Sequence, residues 1–345
     1  MENKTTYHII GAGIAGLYAA KLLKEKYKDS IHIVIYEMAE KIGGRCASVF
    51  HQKLACNIDN ATHVVLNCNK RTRNLLGKDK FSYPVKFWDF SISEFRSQYR
   101  CIKDAKLAIF NSSCVSLWAK LYAFYKILVN GKIRAYFSEG NLDEVLCKPL
   151  VKYADEIKFG YVWKNIEVKN KNISKLIFNK QIIDIQPNDK IISAIDSYNY
   201  NKILKGYDFE YNSIYNVFYR TSMTLTFPQN LKMLGICNAE MQWIFACKDY
   251  VAVTVSNTNN KCDPRNIWEE ICKVRNYNSA FMPQYQVLYY PRATINQNHK
   301  NNSMRPVSVK TKFDNLFICG DWTMKNKPCC IETAIESAIR CCKNI

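Results

Sequence analysis

Three glycines near the start of the chain, Gly11, Gly13 and Gly16 in "YHIIGAGIAGLYAAKLL", have the spacing G-x-G-x-x-G. Each suits a separate task beside a bound phosphate. The first lets the chain reverse tightly, the second lets the backbone approach a pyrophosphate, and the third lets a helix pack close to a strand. The first helical residues, Ile14 and Ala15, then turn free N–H groups toward the same point. Taken alone, the spacing also describes a plain strand-to-helix corner. Its surroundings favour the dinucleotide turn. "YHII" reads as a short buried strand, and Ala15, Ala19, Leu22 and Leu23 supply a helix face that can lie on a sheet. A second β-branched run, "IHIVIYE", ends in Glu37, about 20 residues beyond the last glycine, where a ribose diol needs an acceptor.

Two further groups could act on the same ligand. Just past Glu37, "EMAEKIGGRCAS" brings Gly43, Gly44 and Arg45, a flexible turn followed by a guanidinium. The planar fork of arginine donates to two phosphate oxygens at once. Near the other end, the apolar run Leu316 to Cys319 stops at Gly320 and Asp321 and leads to a helix expected to begin near Pro328.

With these motifs in view, Glu37 to Ser48 resembles the E-x5-G-G-R-x-x-S segment of flavoproteins in the amine oxidase and phytoene desaturase superfamily. That resemblance implies FAD as cofactor and an α/β Rossmann-like FAD-binding domain. It also implies that Asp321 takes the flavin ribityl hydroxyls. The helix with Ile331 among its first residues would face the flavin N1/C2=O edge, where reduced flavin carries negative charge that a helix N-terminus stabilises.

A narrower resemblance covers most of the chain. "NIDNATHVVL", Asn57 to Leu66, is similar to the D-N-G-x-H segment of the bacterial hydroxysqualene dehydroxylase family. "EYNSIYNVFYR", "MQWIF", "YPRAT", Arg305–Pro306 and "NLFICGDWT" follow in family order. The implied chemistry is hydride transfer from reduced FAD to a carbocation left by loss of a hydroxyl. By the same resemblance Asp59, Asn60 and His63 supply an acid or a hydrogen bond to the leaving hydroxyl, or else only order the loop beside the flavin. Arg292 and Thr294 are expected to brace that cavity. Amine oxidation, polyene desaturation and a noncatalytic flavin- or lipid-binding relic remain open alternatives. The family pattern is broken where Ala61 replaces a glycine and where Asn326, Thr333 and Ala338 stand at glycine positions. Asparagine tolerates a left-handed backbone, whereas threonine cannot allow the same close approach.

The elements that must position these residues come from distant parts of the chain. With 345 residues and 48% hydrophobic composition, the chain can bury a large core and is not mainly disordered. The expected architecture is a discontinuous FAD-binding domain from residues 1–76, 154–197 and 303–345. A second, α+β substrate domain is expected from residues 77–153 and 198–302. Within the middle piece, "DKIISAI" reads as a strand returning to the central sheet.

No metal site is expected: none of the 15 cysteines forms C-x-x-C, and the five histidines show no H-x-x-x-H spacing. The start "MENKTTYHII" has no signal-peptide pattern, so the protein is expected to be cytoplasmic with its cysteines reduced. Cys329 and Cys330, near the expected flavin edge, are read as packing residues before any redox role. The formal charge of +19 forms no stripe with interleaved aromatics, so no specific nucleic acid is expected. Anionic lipid at the inner face of the membrane is a better-matched partner for an enzyme with an apolar small-molecule substrate. "SLWAKLYAFYKILV", with Trp118, Leu121, Tyr122, Tyr125 and Leu128, reads either as a lipid-contacting helix or as a core helix roofing the pocket.

Overall fold

The computed structural model describes residues 4–59, 64–77, 80–96, 110–111, 115–130, 133–138, 141–221, 225–256, 262–277 and 281–345. The first element is strand β1, Thr5–Ile10, followed by helix α1, Ile14–Tyr27, and strand β2, Ile31–Glu37. β1 lies between β2 and the Lys190–Ser193 strand, parallel to both. Glu156–Phe159 adds outside β2, and Leu316–Ile318 adds outside Lys190–Ser193, completing a five-stranded parallel sheet. The "DKIISAI" segment therefore does return to the central sheet. Ile9, Ile33, Ile35, Ile191 and Ile192 are buried, as a parallel sheet covered on both faces requires.

One cover is α1, whose Leu17, Ala20 and Leu23 pack with Ile335 and Ala338 of the C-terminal helix, Ile331–Cys342. Alanine rather than a larger residue at positions 19, 20 and 338 lets these helices approach closely. A three-stranded antiparallel sheet, Trp163–Lys169, Asn172–Phe178 and Ile182–Asp184, supplies Trp163, Leu176 and Phe178 to the core on Ile10 and Ile191.

A separate seven-stranded mixed sheet is built around Tyr211–Arg220, Tyr250–Ser256 and Tyr285–Ile295. One of its faces buries Val217, Leu234 and Val253 against Ile267 and Ile271 of the Pro264–Val274 helix. The other packs Phe218, Phe245 and Ala252 against Leu54, Cys56 and Ile58 of the Ser48–His51/Cys56–Asp59 hairpin. That hairpin leads from the nucleotide turn to the second sheet. Cys237 is disulfide-bonded, which corrects the expectation of a wholly reduced set; the remaining described cysteines are free. Among the described residues there is no cluster able to hold a metal ion, and no helix is long and apolar enough to cross a membrane.

Candidate active site where the chain ends meet

The glycine turn sits at the carboxyl end of β1, where a parallel sheet opens a crevice. Gly11 has φ +107°, a conformation suited to glycine, and its N–H donates to the Tyr36 carbonyl at 2.8 Å. A Cβ on Gly16 would lie 2.0 Å from the Gly11 carbonyl oxygen, so the helix can pack here only without a side chain. A Cβ on Gly13 would meet no protein atom within 4 Å, so the space beside it is open. The three glycines thus have three different surroundings.

Glu37 holds this turn to the next one. Its buried carboxylate accepts the Ala12 N–H at 2.7 Å and the Ala39 N–H at 2.9 Å. Each oxygen retains a lone pair for a ribose hydroxyl. Gly43 donates to the Ala12 carbonyl at 2.9 Å and pairs with Gly13 as an isolated parallel bridge. Gly43 and Gly44 both have positive φ, 109° and 54°, which bends the chain so that Arg45 reaches over the crevice.

Across that crevice lies Asp321. Gly320, at φ +132°, donates its N–H to the Ser337 hydroxyl at 2.7 Å, fixing the strand end to the C-terminal helix. Arg45 Nη2 donates to Asp321 Oδ1 at 2.7 Å, a half-exposed guanidinium over a nearly buried carboxylate. Burial opposes ionisation of Asp321, but the charges of Arg45 and Arg305 outweigh it and hold the carboxyl below its usual range. The pair is therefore charged at neutral pH.

The C-terminal helix starts at Ile331, capped by Cys330, three residues later than the expected start near Pro328. Asn326 adopts φ +63°, so asparagine does stand in for glycine at a left-handed position. Thr333 is buried, its hydroxyl 3.4 Å from Cys330 Sγ. Burial raises the Cys329 thiol and pushes Cys330 up to about 12, so both are protonated at neutral pH.

Sequence reasoning named Arg305 only as part of a short motif and missed its position. It is almost fully buried, and its Nη1 donates to the carbonyls of Met324 and Lys327 at 2.7 and 2.8 Å, while Nη2 lies 3.1 Å from Cys329 Sγ. Arg305 thereby pins the loop between Asp321 and the C-terminal helix. An arginine directly before a proline, within an otherwise asparagine-rich helix end, was the one available signal.

Asp59 ends the Cys56–Asp59 strand, and its Oδ1 accepts from Ser48 Oγ at 2.5 Å and Leu142 N at 3.1 Å. Burial pushes the Asp59 carboxyl above its usual range, toward the protonated form, and those two hydrogen bonds offset only part of the effect. Its chain neighbour Ile58 packs in the same apolar cluster as Cys247 and Tyr250, at the face of the second sheet. Asn60 and His63 lie outside the described residues. Arg292 stacks on the Tyr198 ring at 3.9 Å, and the Thr294 hydroxyl accepts from Asn111 at 2.8 Å. A cavity of about 550 Å³ elsewhere is lined by Glu40, Ile42, Val151, Asp155 and Phe159 among others, and by none of Gly13, Arg45 or Asp321. The motif geometry, rather than cavity size, locates the site.

The open strip beside Gly13, the two donor turns and the ionised Arg45–Asp321 pair fit a dinucleotide cofactor. Comparison with known proteins identifies which one. Residues 265–345 match the family of flavin containing amine oxidoreductases, and residues 9–78 match the NAD(P)-binding Rossmann-like domain. The chain is an FAD-dependent oxidoreductase, similar at its carboxyl end to the flavin containing amine oxidoreductases. Hydroxysqualene dehydroxylases from Sinorhizobium fredii and Zymomonas mobilis are 26% and 24% identical to this oxidoreductase. Each alignment covers 96% of both chains. They extend over 409 and 406 positions against 345 residues here, so the relatives carry additional residues. Among solved structures, a proposed protoporphyrinogen oxidase from Exiguobacterium sp. 255-15 superposes with TM-score 0.71 at 11% identity, covering 100% of this chain and 99% of that one. Reduced UDP-galactopyranose mutase gives 0.70 at 11% identity, covering 99% and 94%. These structures share the fold with this FAD-dependent oxidoreductase.

Proposed function

We propose that this oxidoreductase removes the hydroxyl of an isoprenoid alcohol of the hydroxysqualene type, giving the hydrocarbon. The observation that carries the reading is the similarity, along nearly the whole chain, to proteins named hydroxysqualene dehydroxylase. Asp59 is the side chain best suited to start the reaction, because its burial favours the protonated carboxyl that can give a proton to a leaving hydroxyl. The hydroxyl then departs as water. FAD, when bound and reduced, supplies the hydride that replaces it.

The remaining work belongs to the protein. Gly13 and Arg45 hold the pyrophosphate, Glu37 the ribose and Asp321 the ribityl chain. Ile58, Phe218 and Phe245 belong to the buried apolar cluster beside Asp59 and keep the surroundings of its carboxyl apolar. Arg305 acts at one remove, keeping the Met324–Cys330 loop in place.

The test is anaerobic mixing of chemically reduced protein with hydroxysqualene, following flavin absorbance and product together. Flavin reoxidation with formation of squalene is the expected result. Reoxidation by oxygen alone, with no hydroxylated isoprenoid consumed, would transfer the assignment to amine or polyene chemistry.

A further inference from the structure

The helix Leu117–Asn130 turns its large apolar side chains the wrong way for a helix in water. Leu117, Trp118, Leu121, Phe124, Tyr125 and Val129 are between 47% and 67% exposed. Their spacing of 1, 3, 3, 1 and 4 residues places all six on one stripe. The small residues Ala119 and Ala123 face inward, against Phe110 and Val115. A core helix roofing a pocket would have the opposite arrangement, so that reading of the segment is overturned. Of the side chains expected to form the surface, Trp118, Leu121 and Tyr125 are exposed and Tyr122 is half-buried, while that of Leu128 lies outside the described residues.

We infer that this stripe inserts into the interfacial layer of an anionic lipid bilayer. Three observations select lipid over a protein partner or a second copy. The stripe carries six large apolar groups including Trp118 and Tyr125, whose rings combine an apolar body with a polar tip and suit a headgroup boundary. The chain carries +19, which draws it to anionic headgroups and sets two copies in mutual repulsion. The helix axis is about 21 Å long at 1.5 Å per residue, too short to span a bilayer but sufficient to lie along one.

The helix is also tied to the cofactor site. Ser116 N donates to the Gln297 carbonyl at 2.9 Å, and Gln297 Nε2 lies 3.4 Å from Cys329 Sγ. Lys327 sits over the Tyr122 ring at 5.4 Å. The lipid-facing helix is therefore in direct contact with the loop that leads to the C-terminal helix. Insertion itself rests on the stripe and the charge, so it holds whichever apolar substrate is turned over.

The experiment uses FAD-loaded protein and vesicles of phosphatidylcholine with or without phosphatidylglycerol. Wild type should co-sediment with the anionic vesicles, moderate salt should weaken binding by screening the attraction, and brominated lipid should quench tryptophan emission. Trp118→Ser, Leu121→Ser and Phe124→Ser combined should lower partitioning by about tenfold or more, because binding scales with inserted apolar area. All three sites are exposed, and retained flavin absorbance confirms the fold. Quenching of the wild type needs no variant and stands if the triple variant fails to fold. Equal binding of variant and wild type, absence of quenching, or indifference to phosphatidylglycerol overturns the inference. A variant that changes only the oligomeric mass also overturns it and assigns the stripe to a second copy.

Discussion

Arg45 and Asp321, 276 residues apart in sequence, are joined by a 2.7 Å charged hydrogen bond across the cofactor crevice. Asp321 is held below the ordinary carboxylate range, so the unfolded chain binds more protons than the folded one near the unfolded value of about 3.9. Its stabilising contribution is complete above that value and is lost as pH falls through the lower folded value. Asp321→Asn should therefore flatten the acid limb of stability below about pH 4. Denaturant melts of both proteins across that range provide the check, and identical acid limbs would contradict it.

Two glycines three residues apart should respond in opposite ways. Gly13→Val adds a side chain to open space at φ −76°, so the protein should fold normally yet lose FAD. Gly16→Ala drives a Cβ into the Gly11 carbonyl, and its cost should reach or exceed the roughly 1–3 kcal/mol typical of overpacking. Thermal melts and flavin content, measured on the same samples, separate the two effects. A Gly13→Val protein that keeps its flavin would deny the crevice its role.

Those responses follow from what the sequence displayed. Glycine spacing, a carboxylate at a strand end and a Gly-Asp after a buried strand are local signals, and each imposes a backbone shape on its own neighbours. The return of "DKIISAI" to the central sheet was legible for the same reason, whereas the order of the five strands was not. Arg305 was not legible, because its partners are the backbone carbonyls of Met324 and Lys327, 19 and 22 residues on, whose position depends on how the intervening strand and loop fold and not on their side-chain types. Nor was the outward face of Leu117–Asn130. Periodicity shows that a stripe exists, while only packing shows whether anything covers it.

Asp59→Asn should separate stability from activity. The folded carboxyl is raised, so stability is fully present below the unfolded value and is lost as pH rises through the folded one. The variant removes that loss while its amide oxygen can still accept from Ser48 and Leu142. It should be more stable than wild type at neutral pH, keep its FAD, and react with hydroxysqualene about 10²–10⁴-fold more slowly. Unchanged single-turnover rates would remove Asp59 from the acid role.

Cys329 and Cys330 should be chemically quiet. Burial keeps both thiols protonated, so alkylation of the native protein near neutral pH should be slow at these positions. Cys330→Ala should retain flavin that is released in full on denaturation. Mass spectrometry of the denatured chain gives the answer, and a flavin adduct on either cysteine would contradict it.

Nothing tests the central claim more directly than the cofactor content of the purified protein. If the glycine turn, the Gly43–Arg45 segment and Gly320–Asp321 build one site, the protein should show oxidised-flavin absorption. Denaturation should then release FAD, not FMN, at about one molecule per chain. Well-folded protein that remains colourless after incubation with excess FAD would contradict the account.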